Sequence, residues 1–534
     1  MKPKNRTARY YGTPQKNIVP LAITAVSLVL VTGIAFIAIR NRAPSCKNCN
    51  VVLVSLDTLS AKHLPCYGYD KNTAPNLCRI AKENAYFSRA YTQSYYTLPS
   101  HMSMFTGQYP STHGILDPGI TSLSTTSRTL TETLDAQGYR TLYFGPTDNN
   151  FFPLSRGLGR GFDYIDDEYN YLRVGELQNW KKGVSMLKDN TAKGVPTFLF
   201  LHTYYTHEPY LPDTRNNHFT DTVDLDIPVT AEEYTAITPA YIQFVKDYFR
   251  QSPAEKTLQD AAYQKFLNTE DFGQAKTLYQ YMMTENCRVY CLQAEYYYVQ
   301  NKDNPRHIAY IRSMYDEMIF NLDKEIGKLV AGLEPLLQKN TILVITSDHG
   351  EAFMEHRNIM HQSLYGEVLE VPLIVIAPGI HRGSIDTPAS IIDIYPTILG
   401  LLQLPQVASV EGRDLSWSFS GFPRLPNYKP IISERYAMVY DNGQHKAILQ
   451  RSIISGHWKL LVTIDQQSTR DTELYNMTKD PYEKRDISSE EPDVVRMLLR
   501  IHQQFADNHP QKTYPSQSEP TNITPEESPR LFHY

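Results

Sequence analysis

Hydrophobic positions follow two rhythms along this chain. Short runs of consecutive apolar residues, rich in Val and Ile, fall at residues 50–56, 197–201, 341–346 and 371–377. Such runs mark strands buried on both faces. Between them, apolar residues at helical spacing predict helices over 74–86, 128–137 and 310–333. Strand–helix alternation over this length predicts an α/β fold with a mostly parallel central sheet flanked by helices. From about Asn427 the texture changes to short alternating strands, notably 446–451 and 458–463, with a helix near 493–508. This predicts a smaller antiparallel C-terminal subdomain. Residues 211–300 interrupt the alternation. They are polar, tyrosine-rich and helical in pattern, and read as an insertion near the mouth of a site.

The N-terminus carries a different signal. Lys2, Lys4, Arg6, Arg9 and Lys16 precede an uncharged apolar run over 18–39, which Arg40 and Arg42 close. The run is long enough to cross a bilayer as one helix, and the leading basic residues predict an N-inside orientation. It is long for a signal peptide, and no small-x-small site follows it cleanly. The expected organisation is a cytoplasmic basic segment (1–17), a transmembrane anchor (18–39), a linker (40–49) and a catalytic domain (50–426). A C-terminal subdomain (427–508) and a disordered tail (509–534) follow. The protein is thus expected to be single-pass, with its body extracytoplasmic, where cysteines can oxidise. Its six cysteines fall as Cys46/Cys49, Cys66/Cys78 and Cys287/Cys291; local pairing fits this spacing, but sequence does not fix connectivity. A formal net charge of −5 and a body without a long basic run make nucleic acid an unexpected partner.

Chemistry concentrates where the predicted strands end. The first ends at Asp57, the second runs into His202 and His207, and a third ends in Ser347-Asp348-His349-Gly350-Glu351. Open α/β sheets bind ligands beyond the carboxyl ends of their strands, so these distant residues should converge. Asp57, Asp348 and His349 offer two carboxylates and an imidazole to one divalent cation, with Zn²⁺, Mn²⁺ and Ca²⁺ all admitted. Thr97, ahead of Pro99, reads as the cap of a short helix and as a fourth ligand and nucleophile.

Several segments together resemble the sulfatase family of the alkaline-phosphatase superfamily. They are Asp57-Thr58-Leu59, Thr73-Ala74-Pro75-Asn76-Leu77, Thr97-Leu98-Pro99-Ser100, Thr106-Gly107-Gln108-Tyr109-Pro110, Ser347-Asp348-His349-Gly350-Glu351 and Asp393-Ile394-Tyr395-Pro396-Thr397. The resemblance spans roughly 50–486 and implies an alkaline-phosphatase-like fold. It also implies ester cleavage, with His207 and His361 contacting the sulfate or phosphate or protonating the leaving oxygen.

The departures from the family pattern are chemical. Sulfatases carry Cys or Ser where this chain has Thr97, and oxidise it to formylglycine. Threonine has an extra methyl on Cβ, so that oxidation cannot give the same aldehyde, and no formylglycine is expected. His101 replaces the motif arginine, Thr58 an aspartate, and His361 the active-site lysine. An unmodified threonine resembles superfamily members that transfer or hydrolyse phosphoryl groups. The expected enzyme therefore hydrolyses or transfers a phosphate or sulfate ester through Thr97, on a small-molecule, lipid-headgroup or glycan substrate. Two alternatives are a formylglycine-independent sulfatase of sulfated glycans and a non-catalytic binding protein that retains the fold.

Overall fold

The computed structural model describes residues 44–116, 122–147, 154–167, 178–207, 210, 218–219, 305–421, 429–441, 444–465 and 468–509. The apolar run at 18–39, the insertion at 211–300 apart from residues 218–219, with Cys287 and Cys291, and the tail beyond 509 lie outside them. Among the described residues, no helix is long and apolar enough to cross a membrane.

Eight strands form the central sheet: β1 (Asn50–Leu56), β2 (Ala85–Phe87), β3 (Arg140–Phe144), β4 (Tyr164–Asp166), β5 (Thr197–Thr203), β6 (Thr341–Thr346), β7 (Leu373–Ile376) and β8 (Gly383–Ile385). Their order is β8-β2-β7-β6-β1-β5-β3-β4. β7 pairs antiparallel with both β2 and β6, while the other neighbours pair in parallel. β1 lies at the centre, and its composition follows from that place. Val52, Val54 and Leu56 enter one core, while Val51 and Leu53 enter the other. With both faces covered, period two is hidden and every position from Val51 to Val54 is apolar.

Helices cover each face. On the first lie α1 (Pro75–Glu83), α4 (Gln178–Ala192) and the long α5 (Pro305–Leu337). On the second lie α2 (Thr97–Thr106), α3 (Leu130–Asp135) and α6 (Ile394–Leu402). Each fully buried Val, Leu or Ile contributes about 1.5–3 kcal/mol, so the β1 core anchors whatever follows its end.

Sequence periodicity misplaced some boundaries. The helix expected over 74–86 stops at Glu83, because 85–87 hydrogen-bonds into the sheet as β2. The strand expected over 371–377 is shorter and runs antiparallel. β3 and β4 gave no apolar run to read, being short and partly exposed.

The C-terminal sheet is a four-stranded antiparallel meander, β9 (Ile431–Asp441), β10 (Gln444–Ser455), β11 (Trp458–Asp465) and β12 (Ser468–Asn476). One face packs on α7 (Pro492–Asn508) through Leu498 and Phe505, with Trp458 against the same core. The other face meets Tyr91, Tyr95, Val368 and Leu369. β9 also reaches the central body directly. Glu434 N–H donates to Gln93 O (2.9 Å), and Ser433 Oγ donates to Thr92 O (2.5 Å). A buried ion pair, Lys459–Glu483 at 2.7 Å, fastens the opposite side of this sheet to Gly366 N–H, which donates to Glu483 Oε1. Two disulfides, Cys46–Cys49 and Cys66–Cys78, join the pairs nearest in sequence.

Candidate active site

The chain turns sharply as it leaves β1. Asp57 follows the strand, and Thr58 adopts φ 55°, a left-handed conformation that is costly for a β-branched residue. Hydrogen bonds offset the cost. Thr58 N–H donates to Asp348 Oδ1 (3.2 Å), and Leu59 N–H donates to Ser347 Oγ (3.0 Å). The Tyr315 hydroxyl, from α5, donates to Thr58 O (2.6 Å) and accepts from Ser60 N–H (3.0 Å). Asp57 is thereby held rigidly at the end of a buried strand.

β6 delivers Asp348 and His349 from the neighbouring strand end. Gly350 then passes so close to Glu367 O that any Cβ would collide with it, which is why glycine occupies this turn. His349 Nδ1–H donates to Gly350 O (3.0 Å), and burial lowers the pKa of the ring against the opposing Asp348, which favours the neutral tautomer with a lone pair on Nε2. That nitrogen lies 3.3 Å from Thr97 Oγ1, which is itself 3.4 Å from Asp57 Oδ2. Ligand atoms of Asp57, Asp348 and His349 all lie within 4.8 Å of one another, and all three residues are buried.

Thr97 is the first residue of α2, and the N-cap is Tyr96. The expectation that Thr97 caps the helix is corrected by one position. Its hydroxyl is thereby released from backbone capping and points to Asp57 and His349.

Four further histidines surround this centre. His101 Nδ1–H donates to Thr97 O (2.8 Å), which leaves Nε2 to accept from Ser55 Oγ (2.9 Å). It clamps the first turn of α2 onto β1. Burial lowers its pKa, although Asp348 at 3.6 Å opposes this. His202, on β5, donates through Nδ1 to Ser55 O (3.2 Å) and directs Nε2 toward Asp57 Oδ2 at 3.7 Å. His361 packs its ring 4.6 Å from that of His349 and 5.6 Å from that of His207. His361 Nδ1 is also 3.5 Å from Glu351 Oε1, and burial raises the Glu351 pKa to about 7 against the opposing His207 and His349.

All six predicted residues, Asp57, Thr97, His207, Asp348, His349 and His361, therefore come together. His356 does not. Its ring stacks on Tyr365 at 3.7 Å, and its nitrogens meet Glu367 and the Glu483 carbonyl, which fixes it as a structural contact. Tyr315, Ser55 and Glu351 escaped sequence reasoning as site residues. The only sequence signal was Glu351's place directly after the Asp-His-Gly run.

The donor set fits a divalent cation. Burial would raise the pKa of Asp348, but the imidazoles of His349, His101 and His202, with the His349 N–H, lower it instead. Asp348 Oδ2 is nonetheless buried without a hydrogen bond, as a ligand oxygen reserved for a cation would be.

Residues 49–404 match the Sulfatase family profile. The chain belongs to the sulfatase family. As a member it is a sulfatase-type hydrolase. Arylsulfatase K of Homo sapiens is 25% identical over 511 residues, covering 89% of this chain and 85% of its own. Arylsulfatase K of Danio rerio is 29% identical over 231 residues, 42% of each chain. The uncharacterized sulfatase YidJ of Escherichia coli is 23% identical over 462 residues, 83% of each. The structure of BT4656 in complex with its substrate D-glucosamine-2-N,6-O-disulfate matches with a TM-score of 0.62 at 19% identity, covering 89% of this chain and 100% of that one. The phosphonate monoester hydrolase SpPMH from Silicibacter pomeroyi gives a TM-score of 0.57 at 18% identity, covering 88% and 97%. These likenesses establish a shared fold.

Proposed function

We propose that this chain cleaves a phosphate or sulfate ester with the unmodified hydroxyl of Thr97, with phosphate esters preferred. The observation that carries the reading is the position of Thr97 Oγ1, between Asp57 Oδ2 and His349 Nε2 at 3.4 and 3.3 Å. Asp57, Asp348, His349 and Thr97 would hold one divalent cation, and the imidazole donor favours Zn²⁺ or Mn²⁺ over Ca²⁺. When bound, such an ion neutralises charge on the ester oxygens and acidifies the hydroxyl.

The protein's own groups account for the remaining steps. His349 Nδ1–H is held by Gly350 O, which leaves Nε2 as the atom it would offer to the cation. The Thr97 hydroxyl gives up its proton to solvent, its Oγ1 bonds to phosphorus as the bond to the leaving oxygen breaks, and that oxygen takes a proton from His207 or His361. Water, or an acceptor hydroxyl, then attacks the threonyl ester, and Thr97 leaves with its proton restored. A formylglycine hydrate releases its ester by collapse to the aldehyde. Threonine has no second hydroxyl, so a second displacement at the central atom is required. A phosphate dianion also gains more than a sulfate monoanion from a cationic site. The sulfated-glucosamine substrate in the name of one structural neighbour supports a second reading, cleavage of sulfated glycans.

The test is turnover of aryl phosphate monoester, phosphodiester and sulfate esters side by side. A phosphate ester should be fastest, and a faster sulfate would establish the second reading.

The apolar run at 18–39 and its leading basic residues support a single-pass anchor with the body extracytoplasmic. In a protease-protection assay, the body should be digested from the outer side of intact cells or spheroplasts. A body protected with the cytoplasm would contradict this topology.

A further inference from the structure

His361 reaches the site on a strained hairpin. Ala352–Phe353 pairs antiparallel with Ile359–Met360. Glu351 just before the hairpin and His361 just after it are thereby set face to face, with His361 Nδ1 3.5 Å from Glu351 Oε1. Within the hairpin Met354, His356, Arg357 and Met360 adopt φ of 67°, 51°, 60° and 56°. None is glycine, so each is costly and persists where its surroundings over-determine it.

Two clamps hold it. Arg312 of α5 donates to Phe353 O (3.1 Å) and pairs with Glu355 (2.5 Å). At the tip, His356 meets Glu367 Oε1 through Nδ1 (3.0 Å) and Glu483 O through Nε2 (2.9 Å), with its ring stacked on Tyr365. A carboxylate and a carbonyl only accept, and a neutral imidazole has a single N–H. Both bonds are therefore made at once by the imidazolium. Burial opposes that charge, but the Glu367 carboxylate and the Glu483 carbonyl outweigh it and raise the His356 pKa above the ordinary 6.5. The other charges packed around the ring are matched elsewhere. The Glu483 carboxylate takes Lys459 Nζ (2.7 Å) and Gly366 N–H (2.9 Å), Glu370 pairs with Lys62 (2.9 Å), and the Tyr365 hydroxyl donates to Glu473 (2.8 Å). Arg357, next in the chain, is exposed. Glu367 is left as the counter-charge of His356.

We propose that His356 is a positioning residue for His361: as an imidazolium it ties the hairpin tip to Glu367 and to the C-terminal subdomain, and so sets where His361 stands in the site. The proposal rests on the ester-cleavage reading, which places His361 against the reacting group. The clamp is complete below pH 6.5 and releases as pH rises through the raised pKa, because a neutral ring keeps one of its two donors.

The experiment measures kcat, KM and bound metal against pH for the full-length chain, using para-nitrophenyl phosphate or sulfate, whichever turns over faster. The variants are His356→Gln, Glu367→Gln, His361→Ala and the His356→Gln/His361→Ala pair. His356→Gln should lower kcat by about ten- to a hundredfold with metal content unchanged, and should remove one step from the alkaline limb. Glu367→Gln keeps the shape and an acceptor but not the charge, so that step should move down by about one pH unit or more. On top of His361→Ala, His356→Gln should cost no more than about twofold, because its effect runs through His361. A fully additive loss, or an alkaline limb identical in the wild type, His356→Gln and Glu367→Gln, would overturn the proposal. A His361→Ala chain as active as the wild type would instead contradict the site reading, and the positioning role would fall with it. If neither ester turns over, the ester-cleavage reading fails, and the clamp is judged on histidine ring NMR signals. The signal that His361→Ala deletes must then shift in His356→Gln, and an unmoved signal overturns the proposal.

Discussion

Thr97→Ala should abolish turnover, by about 10⁴-fold or more, since loss of a covalent nucleophile leaves only binding and electrostatic assistance. Thr97→Ser should keep activity within roughly tenfold, because serine retains the hydroxyl without the methyl group. Stability should change by no more than about 1 kcal/mol, because among the described residues the Thr97 side chain makes only the two long hydrogen bonds at 3.3 and 3.4 Å and does not cap its helix. Kinetics and a denaturant midpoint on the same preparations separate a chemical from a folding defect. Wild-type turnover in Thr97→Ala would remove the nucleophile assignment.

Asp348→Ala should weaken divalent metal binding by on the order of 10³-fold, about 4 kcal/mol, since even outer-shell partners of a metal contribute 10–100-fold. Asp348→Asn should be milder, because it keeps an oxygen donor and loses the charge. Asp348 Oδ1 also accepts from Thr58 N–H at 3.2 Å and His349 N–H at 2.9 Å. Alanine therefore frees the Asp57 turn as well as removing a ligand. Metal content and calorimetric affinity check this, and unchanged affinity in Asp348→Ala would exclude the residue from the site.

The legible part of this chain follows from burial. β1, β5 and β6 are covered on both faces, so their apolar runs are unbroken, and the residues at their carboxyl ends could be placed together by topology alone. Asp57, Asp348 and His349 were readable for that reason. β3 and β4 lie toward one edge of the sheet and are only five and three residues long, too short to show a run of their own. Tyr315 was not readable because its role depends on one hydroxyl reaching across 257 residues to Thr58. His101 stood in the sequence as a departure from the family arginine. Only its two hydrogen bonds reveal that it holds the first turn of α2 to β1. The cross-strand row of Arg435, Gln450, Thr463 and Asp471 was equally hidden, since these residues align only once the strand register is known.

The central claim, that Thr97 acts unmodified as the nucleophile, is tested most directly by rapid mixing with a reactive aryl phosphate, acid quench and mass measurement of the peptide containing residue 97. The account predicts plain threonine before mixing and a phosphoryl adduct on Thr97 after it. Turnover with no adduct on Thr97, or with the adduct on another residue, would contradict the account.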